Sequence, residues 1–237
     1  MSIYTKDWTK MRIAVFDTET TGLKPNEDRI VEFGLMFFEK GKPVDSYNRL
    51  INPDGKAMHP KAQAVHGITP EMLAKKKTFK QLAKKIRKQL KDCDVWCAYN
   101  ESFDRSFLKH EFKRAGVKMP QKPVIDPLIM AQHLWPQGPN TLDAVCQRLR
   151  VSAPIDVLKE YNLYDEDGAK RHRAAYDALL TGYVLYMFSH RMSNKLKQAL
   201  FVQNWQYHVW LAFTKNGNAR YARALEPTLP PENNESD

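Results

Sequence analysis

The chain opens with short apolar runs broken by turn residues and continues with longer repeats of helical period. Arg12 to Asp17 is apolar, β-branched in part, and reads as a central strand. Thr18 to Asp28, holding Gly22 and Pro25, reads as a turn region. Ile30 to Phe38 is rich in Val, Ile and Phe around Gly34 and predicts a second strand. Pro43 to Ile51 predicts a third, and the short connection at Gly41 implies an antiparallel hairpin. Asn52 to Gly67, punctuated by Pro53, Gly55 and Pro60, predicts turns with one short helix. Thr69-Pro70-Glu71 then reads as a helix start with Thr69 as N-cap. Phe79, Leu82, Ile86 and Leu90 recur at helical spacing behind a capping Thr78. Asp94 to Tyr99 reads as a fourth strand, Glu101 to Ala115 as a helix closed by Gly116, and Val124 to Asp126 as a short fifth strand. Helical patterns follow over Pro127 to Trp135, Thr141 to Leu149, Ala169 to His190 and Leu196 to Phe213. Three strands in succession, then strands alternating with helices, predict an α/β fold: a mixed five-stranded sheet flanked by helices.

Length and composition refine this picture. With 237 residues and 43% hydrophobic content, the chain can build one sizeable core with an appendage. The expected organisation is an N-terminal extension over 1–10, one domain over 11–190, a helical segment over 191–214 and a disordered tail over 215–237. No apolar run approaches the ~20 residues of a membrane helix, and the first residues lack a signal-peptide core, so no membrane association is expected. The three cysteines, Cys93, Cys97 and Cys146, are an odd number and fit buried thiols in a reducing cytoplasm. The net charge of +10, from 37 Lys and Arg against 27 Asp and Glu, points to a polyanionic partner such as nucleic acid. Nine basic residues and no acidic one lie from Lys75 to Lys91, the last six on the polar face of the predicted helix.

Candidate chemistry lies where predicted elements begin and end. Asp17 and Glu19 are two apart at the end of a strand, so continued extension puts both carboxylates on one face and turns Thr18 to the other. Two adjacent acids repel unless a cation sits between them, and hard divalent ions take such oxygen ligands. Asn100, Phe103 and Asp104 follow the fourth strand, with Asp104 in the first turn of its helix. His172 and Asp177 are five apart, roughly 140° out of phase on a regular helix. His172 is therefore placed at or before the helix start and Asp177 inside it. Taken singly, these residues read as a solvated turn, a helix cap and a surface histidine. Taken together, four acids and a histidine in this order suit a two-metal phosphodiesterase site.

On these motifs the chain resembles the DEDDh (DnaQ-like) 3′→5′ exonucleases, the family of the proofreading epsilon subunits of DNA polymerase III. Asp17-Thr18-Glu19-Thr20-Thr21-Gly22 matches its first motif, Asn100-x-x-Phe103-Asp104 its second, and His172-Arg173-Ala174-x-x-Asp177-Ala178 the histidine form of its third. Val65-His66-Gly67-Ile68-Thr69 and Thr141-Leu142-Asp143-Ala144-Val145 also resemble family segments. The resemblance covers roughly Arg12 to His190. It implies a ribonuclease H-like fold, Asp17, Glu19, Asp104 and Asp177 as ligands of two divalent ions (Mg²⁺ or Mn²⁺), and His172 as general base. It further implies that Thr18, Thr20, Leu23 and His66 border the terminal-nucleotide pocket, with Asn100 and Phe103 as further substrate contacts; the alternative for each is a structural role, with Asn100 as a hydrogen-bonder and Phe103 in the core. The implied activity is release of nucleoside 5′-monophosphates from single-stranded or frayed 3′ ends, in proofreading or strand trimming. DNA is the expected substrate, with an RNA exonuclease of the ribonuclease T or oligoribonuclease kind as the alternative. A non-catalytic binding or polymerase-docking module is the alternative of another class; intact acids at every catalytic position weigh against it. Leu200, Phe201, Trp205, Val209 and Leu211 form an apolar set that either meets a replication partner or packs back on the domain.

Overall fold

The computed structural model describes residues 7–165, 168–169 and 173–190. Its centre is a five-stranded sheet of β1 (Ile13–Thr20), β2 (Ile30–Glu39), β3 (Lys42–Leu50), β4 (Val95–Cys97) and β5 (Val124–Ile125), in the order β3-β2-β1-β4-β5. β1, β2 and β3 form an antiparallel meander, whereas β4 and β5 run parallel to β1. The mixed sheet read from the sequence is the one found.

Both faces of the sheet are covered, which is why β2 is buried at nine of its ten positions. On one face Ile13, Val15, Met36 and Phe38 pack with α8 (Ala174–His190), α5 (Pro127–Leu134) and α6 (Leu142–Leu149). On the other, Ala14, Phe16, Phe33, Leu35 and Trp96 pack under α3 (Phe79–Lys91) and α4 (Glu101–Arg114). α3 buries Phe79, Leu82, Ala83, Ile86 and Leu90, and Gln81 Oε1 accepts the Thr78 N–H at 2.9 Å across its first turn. Two short helices, α1 (Pro60–His66) and α2 (Pro70–Leu73), follow β3. The second is capped by Thr69, as its sequence indicates.

Three boundaries differ from expectation. β1 runs through Thr20, so the first four residues of the first motif lie inside the strand, with a register shift between Glu19 and Thr20. The long last helix begins at Ala174 rather than Ala169, because Gly168–Ala169 (β7) pairs antiparallel with Tyr164–Asp165 (β6). α7 (Ile155–Glu160) went unforeseen, since six residues behind Pro154 give too short a periodic run to recognise. The helix expected over Leu196 to Phe213, the tail over 215–237 and His172 lie outside the described residues. Among the described residues, no helix is long and apolar enough to cross a membrane.

Candidate active site

The acids come from three elements: Asp17 and Glu19 from the second half of the central strand β1, Asp104 from the first turn of α4 and Asp177 from the first turn of α8. β1 alternation turns Asp17 and Glu19 toward α8, on the face already filled by Ile13 and Val15. Asp177 lies in the first turn of α8, its N–H donating to the Arg173 carbonyl at 3.0 Å. One carboxylate oxygen from each of Asp17, Glu19 and Asp177 lies within 4.8 Å of the others. Thr18 faces the opposite layer, where its hydroxyl donates to Asp104 Oδ1 at 2.7 Å. Asp104, buried in the first turn of α4, stands outside the set within 4.8 Å, yet is near enough for its charge to raise the pKa of Asp17 and Glu19.

Such crowding is unfavourable for ionised acids. Burial, followed by Asp104, Glu19 and Asp177, drives the Asp17 pKa well above the usual carboxylate range. Burial, then Asp177 and Glu32, lifts Glu19 to about 9, against a smaller lowering by Arg173. Burial lifts Asp104 to about 7 even though Thr18 hydrogen-bonds its charged form. All-oxygen donors held this close, with charge repelled from every side, fit hard divalent cations and no soft metal.

The placement of Asp177 rests on two residues that the sequence reading did not select. Glu32 is fully buried on β2, directly across from Glu19. It accepts from Arg173 Nε at 2.9 Å and Nη2 at 2.7 Å, and from the Ala174 N–H at 3.1 Å. One carboxylate therefore both caps α8 and clamps the residue that follows His172 in sequence. Two positions on, Gly34 faces Asp17, and a Cβ there would stand 2.2 Å from the Ala174 and Ala175 backbone. Only glycine admits α8 this close to the acids. The sequence signal was a lone Glu within an apolar strand, a position where an unpaired charge is costly.

α4 is seated in a comparable way. Asn100 adopts φ 62 and ψ 52, a left-handed turn directly ahead of the helix. Asp126 holds that turn, accepting from the Asn100 and Glu101 N–H groups at 3.1 Å each and from the Leu128 N–H at 2.9 Å. Burial raises Asp126 to about 6. Phe103 lies half-buried against Phe107, with ring centroids 4.9 Å apart.

Beside the acids, the β1–β2 loop borders a cleft of about 560 Å³ lined by Leu23, Lys24, Lys56, Lys61 and Val65 among others. Leu23 is 80% exposed there. The Thr20 hydroxyl donates to the Gly22 carbonyl at 2.6 Å, so it serves the loop itself. His66 is buried; its Nδ1 accepts from the Ile68 N–H at 3.0 Å, which leaves Nε2–H to donate to the Thr20 carbonyl at 3.3 Å. Burial lowers its pKa, keeping that tautomer neutral. The loop is tied to α4 by Arg29, whose Nε and Nη2 lie 2.6 and 3.2 Å from the buried Glu111 carboxylate. Of the sequence-selected substrate contacts, Leu23 faces the cleft, Thr20 and His66 brace its loop, and the Thr18 hydroxyl is occupied by Asp104.

The sheet order and the acid cluster together define an exonuclease-type domain. The exonuclease family profile matches residues 14–185, and the chain belongs to that family. It is 34% identical over 182 residues to the DNA polymerase III epsilon subunit of Rickettsia prowazekii, covering 74% of this chain and 73% of that one. It is 31% identical over 172 residues to the PolC-type DNA polymerase III of Bacillus cereus, covering 72% of this chain but only 11% of that much longer protein. Among solved structures, exonuclease X in complex with 5′-overhanging duplex DNA superimposes with a TM-score of 0.60 at 24% identity, over 79% of this chain and 98% of that one. The exonuclease family uses divalent metals, in keeping with the donor set found here.

Proposed function

We propose that this protein is a metal-dependent 3′→5′ exonuclease that removes nucleoside 5′-monophosphates from DNA. The observation that carries the reading is the gathering of the Asp17, Glu19 and Asp177 carboxylates within 4.8 Å, with Asp104 linked to them through Thr18. Asp17, Glu19, Asp104 and Asp177 would hold two divalent cations, Mg²⁺ or Mn²⁺. When bound, such ions lower the pKa of a water and stabilise charge on the leaving oxygen. The chain's own residues do the rest. His172, outside the described residues, is assigned as general base. Its sequence neighbour Arg173, clamped by Glu32, fixes the start of the helix that carries Asp177. The Leu23 and Val65 side of the cleft offers apolar surface to terminal bases, and Lys61 offers charge to phosphates beside Lys24 and Lys56, which pair with Glu27 and Asp28 of the same cleft. Likeness to epsilon subunits supports a proofreading role.

The test is digestion of 5′-labelled single-stranded, mismatched and paired DNA, beside matched RNA, with and without Mg²⁺. Stepwise shortening from the 3′ end, stopped by EDTA and absent in Asp17→Ala, is the expected result. Metal-independent cleavage, or full activity in Asp17→Ala, sinks the reading. Faster digestion of RNA moves the assignment to an RNA exonuclease.

A further inference from the structure

The polar face of α3 carries charge of one sign only. Lys80, Lys84, Lys88 and Lys91 are exposed and recur at steps of four, four and three residues, which stacks them along one side of the helix. Arg87 flanks them, its Nε donating to the Lys118 carbonyl at 3.0 Å, while Lys85 stands over the Tyr47 ring at 5.6 Å. No described residue forms an ion pair with Lys80, Lys84, Lys88 or Lys91.

This pattern works against the helix that bears it. Like charges at these spacings repel, and the first turn contains Lys80 and no acid to match the positive end of the helix dipole. Exposed positions such as these would accept Glu or Gln with a gain in helix stability, and Gln81 and Gln89 show that neutral residues fit here. A row of unrelieved cations at its own expense is what an anionic partner would select.

The row also starts in the right place. The Asp94 N–H donates to the Arg12 carbonyl, which puts the C-terminal end of α3 at the beginning of β1, away from the acids. Its N-terminal end is joined to the cleft instead. Asn52 N–H donates to the Lys77 carbonyl at 3.0 Å, the next residue of that loop, Pro53, accepts from Arg29, and Lys56 lies 3.4 Å from Asp28 on the cleft wall. Lys24, Lys56 and Lys61 at the cleft thus lead through Lys75, Lys76 and Lys77 to the α3 row. Glu27 and Asp28 line the cleft 3.5 and 3.4 Å from Lys24 and Lys56, and Asp54, 3.8 Å from Arg29, and the exposed Glu71 also lie beside this path; none of the four enters the α3 row.

We propose that Lys80, Lys84, Lys88 and Lys91 bind the phosphates of the single DNA strand upstream of the 3′ end held at the acid cluster. The proposal rests on the exonuclease reading above. The lysines rise about 6 Å per four residues, so the row spans about 16 Å and engages several phosphates beyond the cleft. It predicts that substrate length matters: a 30-mer reaches the row and a tetranucleotide does not.

The test compares wild type with Lys80→Gln/Lys84→Gln/Lys88→Gln on both oligonucleotides over a range of salt. Each lost phosphate contact removes ~0.7 from the slope of log affinity against log salt for a single strand. Between 50 and 200 mM salt, wild-type affinity for the 30-mer should therefore fall about 20-fold more than the variant's, and the variant's kcat/KM advantage for 30-mer over tetranucleotide should shrink. The single Lys84→Gln should show the same effect at about 2.6-fold. The unfolding midpoint of either variant should equal or exceed that of wild type, because repulsion is removed; a binding loss that tracks a lowered midpoint overturns the proposal. Equal salt slopes and equal length dependence overturn it too, as does loss of binding to phosphatidylserine vesicles with DNA affinity unchanged. Wild type that leaves even the tetranucleotide intact with Mg²⁺ fails the exonuclease reading itself, a separate result.

Discussion

The Glu32–Arg173 clamp yields the sharpest prediction, because two opposing effects meet there and their sizes decide the outcome. Arg173→Met removes the guanidinium and leaves a fully buried carboxylate facing Glu19. Breaking a buried ion pair in this way costs about 3–5 kcal/mol. Glu32→Gln keeps the shape and one acceptor oxygen, but its amide turns donors toward donors, so one or two of three charge-assisted bonds fail, about 2–3 kcal/mol. That substitution also removes a negative charge that raises the pKa of both Asp17 and Glu19. At ~6 Å and an effective dielectric of ~20, the bare repulsion is about 3 kcal/mol. Arg173, at 2.7 and 2.9 Å from the Glu32 oxygens, already cancels most of it, so losing the clamp dominates. Arg173→Met should therefore be the more damaging variant.

For a domain of this size ~1 kcal/mol moves the melting midpoint by ~2–4 °C, so Arg173→Met should melt about 6–20 °C lower in EDTA. The double variant leaves no unpaired charge and should be more stable than the sum of the singles by at least ~1 kcal/mol. Activity supplies a second readout. Loosening the helix start that carries Asp177 by about 1 Å should lower kcat by ~10²-fold while KM changes little. Strict additivity of the two singles, or Glu32→Gln melting below Arg173→Met, refutes the reasoning.

Asp17→Asn should abolish Mg²⁺-dependent nuclease activity yet melt in EDTA at or above the wild-type temperature, since it removes a carboxylate whose ionisation its surroundings oppose; a lower midpoint in EDTA contradicts this. Glu19, lifted from an ordinary 4.5 to about 9, holds its proton when folded and loses it when unfolded, so metal-free stability should fall as pH rises between about 4.5 and 9, by at most ~1.4 kcal/mol per unit. Mg²⁺ displaces that proton, so the Mg²⁺-induced rise in melting temperature should grow from pH 6 to pH 9, and a flat profile in calorimetry counts against it. Glu111→Ala strips the acid from Arg29 and Arg114 and should cost about 3 kcal/mol, seen as faster proteolytic cutting within the Gly22–Asp28 loop; unchanged cutting rates rule that role out.

What could be read from the sequence follows the range of the physics involved. Strand and helix periods are local, and the apolar runs of β2 and α3 declared them. Asp17 and Glu19 were placed on one face because alternation is a property of one strand. Contacts across distance were less visible. Nothing within ten residues of Glu32 signals that Arg173, 141 positions away, neutralises it. Asp126 caps a helix that begins 25 residues earlier, and the sequence offers only an acid after a short strand. Gly34 stood inside the predicted second strand with no role read for it, and the structure shows that it admits the α8 backbone. The β6–β7 pairing was missed because two-residue strands carry no period at all.

The missed residues share one physical cause. A cluster of carboxylates opposes its own assembly, so nothing within it holds the geometry when cations are absent. Rigidity has to come from outside, separately for each element that delivers an acid. Asp17 and Glu19 ride on β1, the central strand, paired on both sides. Asp104 rides on α4, whose strained Asn100 turn is pinned by Asp126. Asp177 rides on α8, pinned by Glu32 through Arg173 and Ala174. Each anchor is itself a buried acid held by backbone N–H groups or a guanidinium, which fix its position and offset part of the charge that it adds beside the cluster. On this argument, changes at Asp126 and Glu32 should disturb catalysis in different ways. The first moves Asp104 alone and the second moves Asp177 alone, so their effects on metal affinity should add, while each remains non-additive with its own partner.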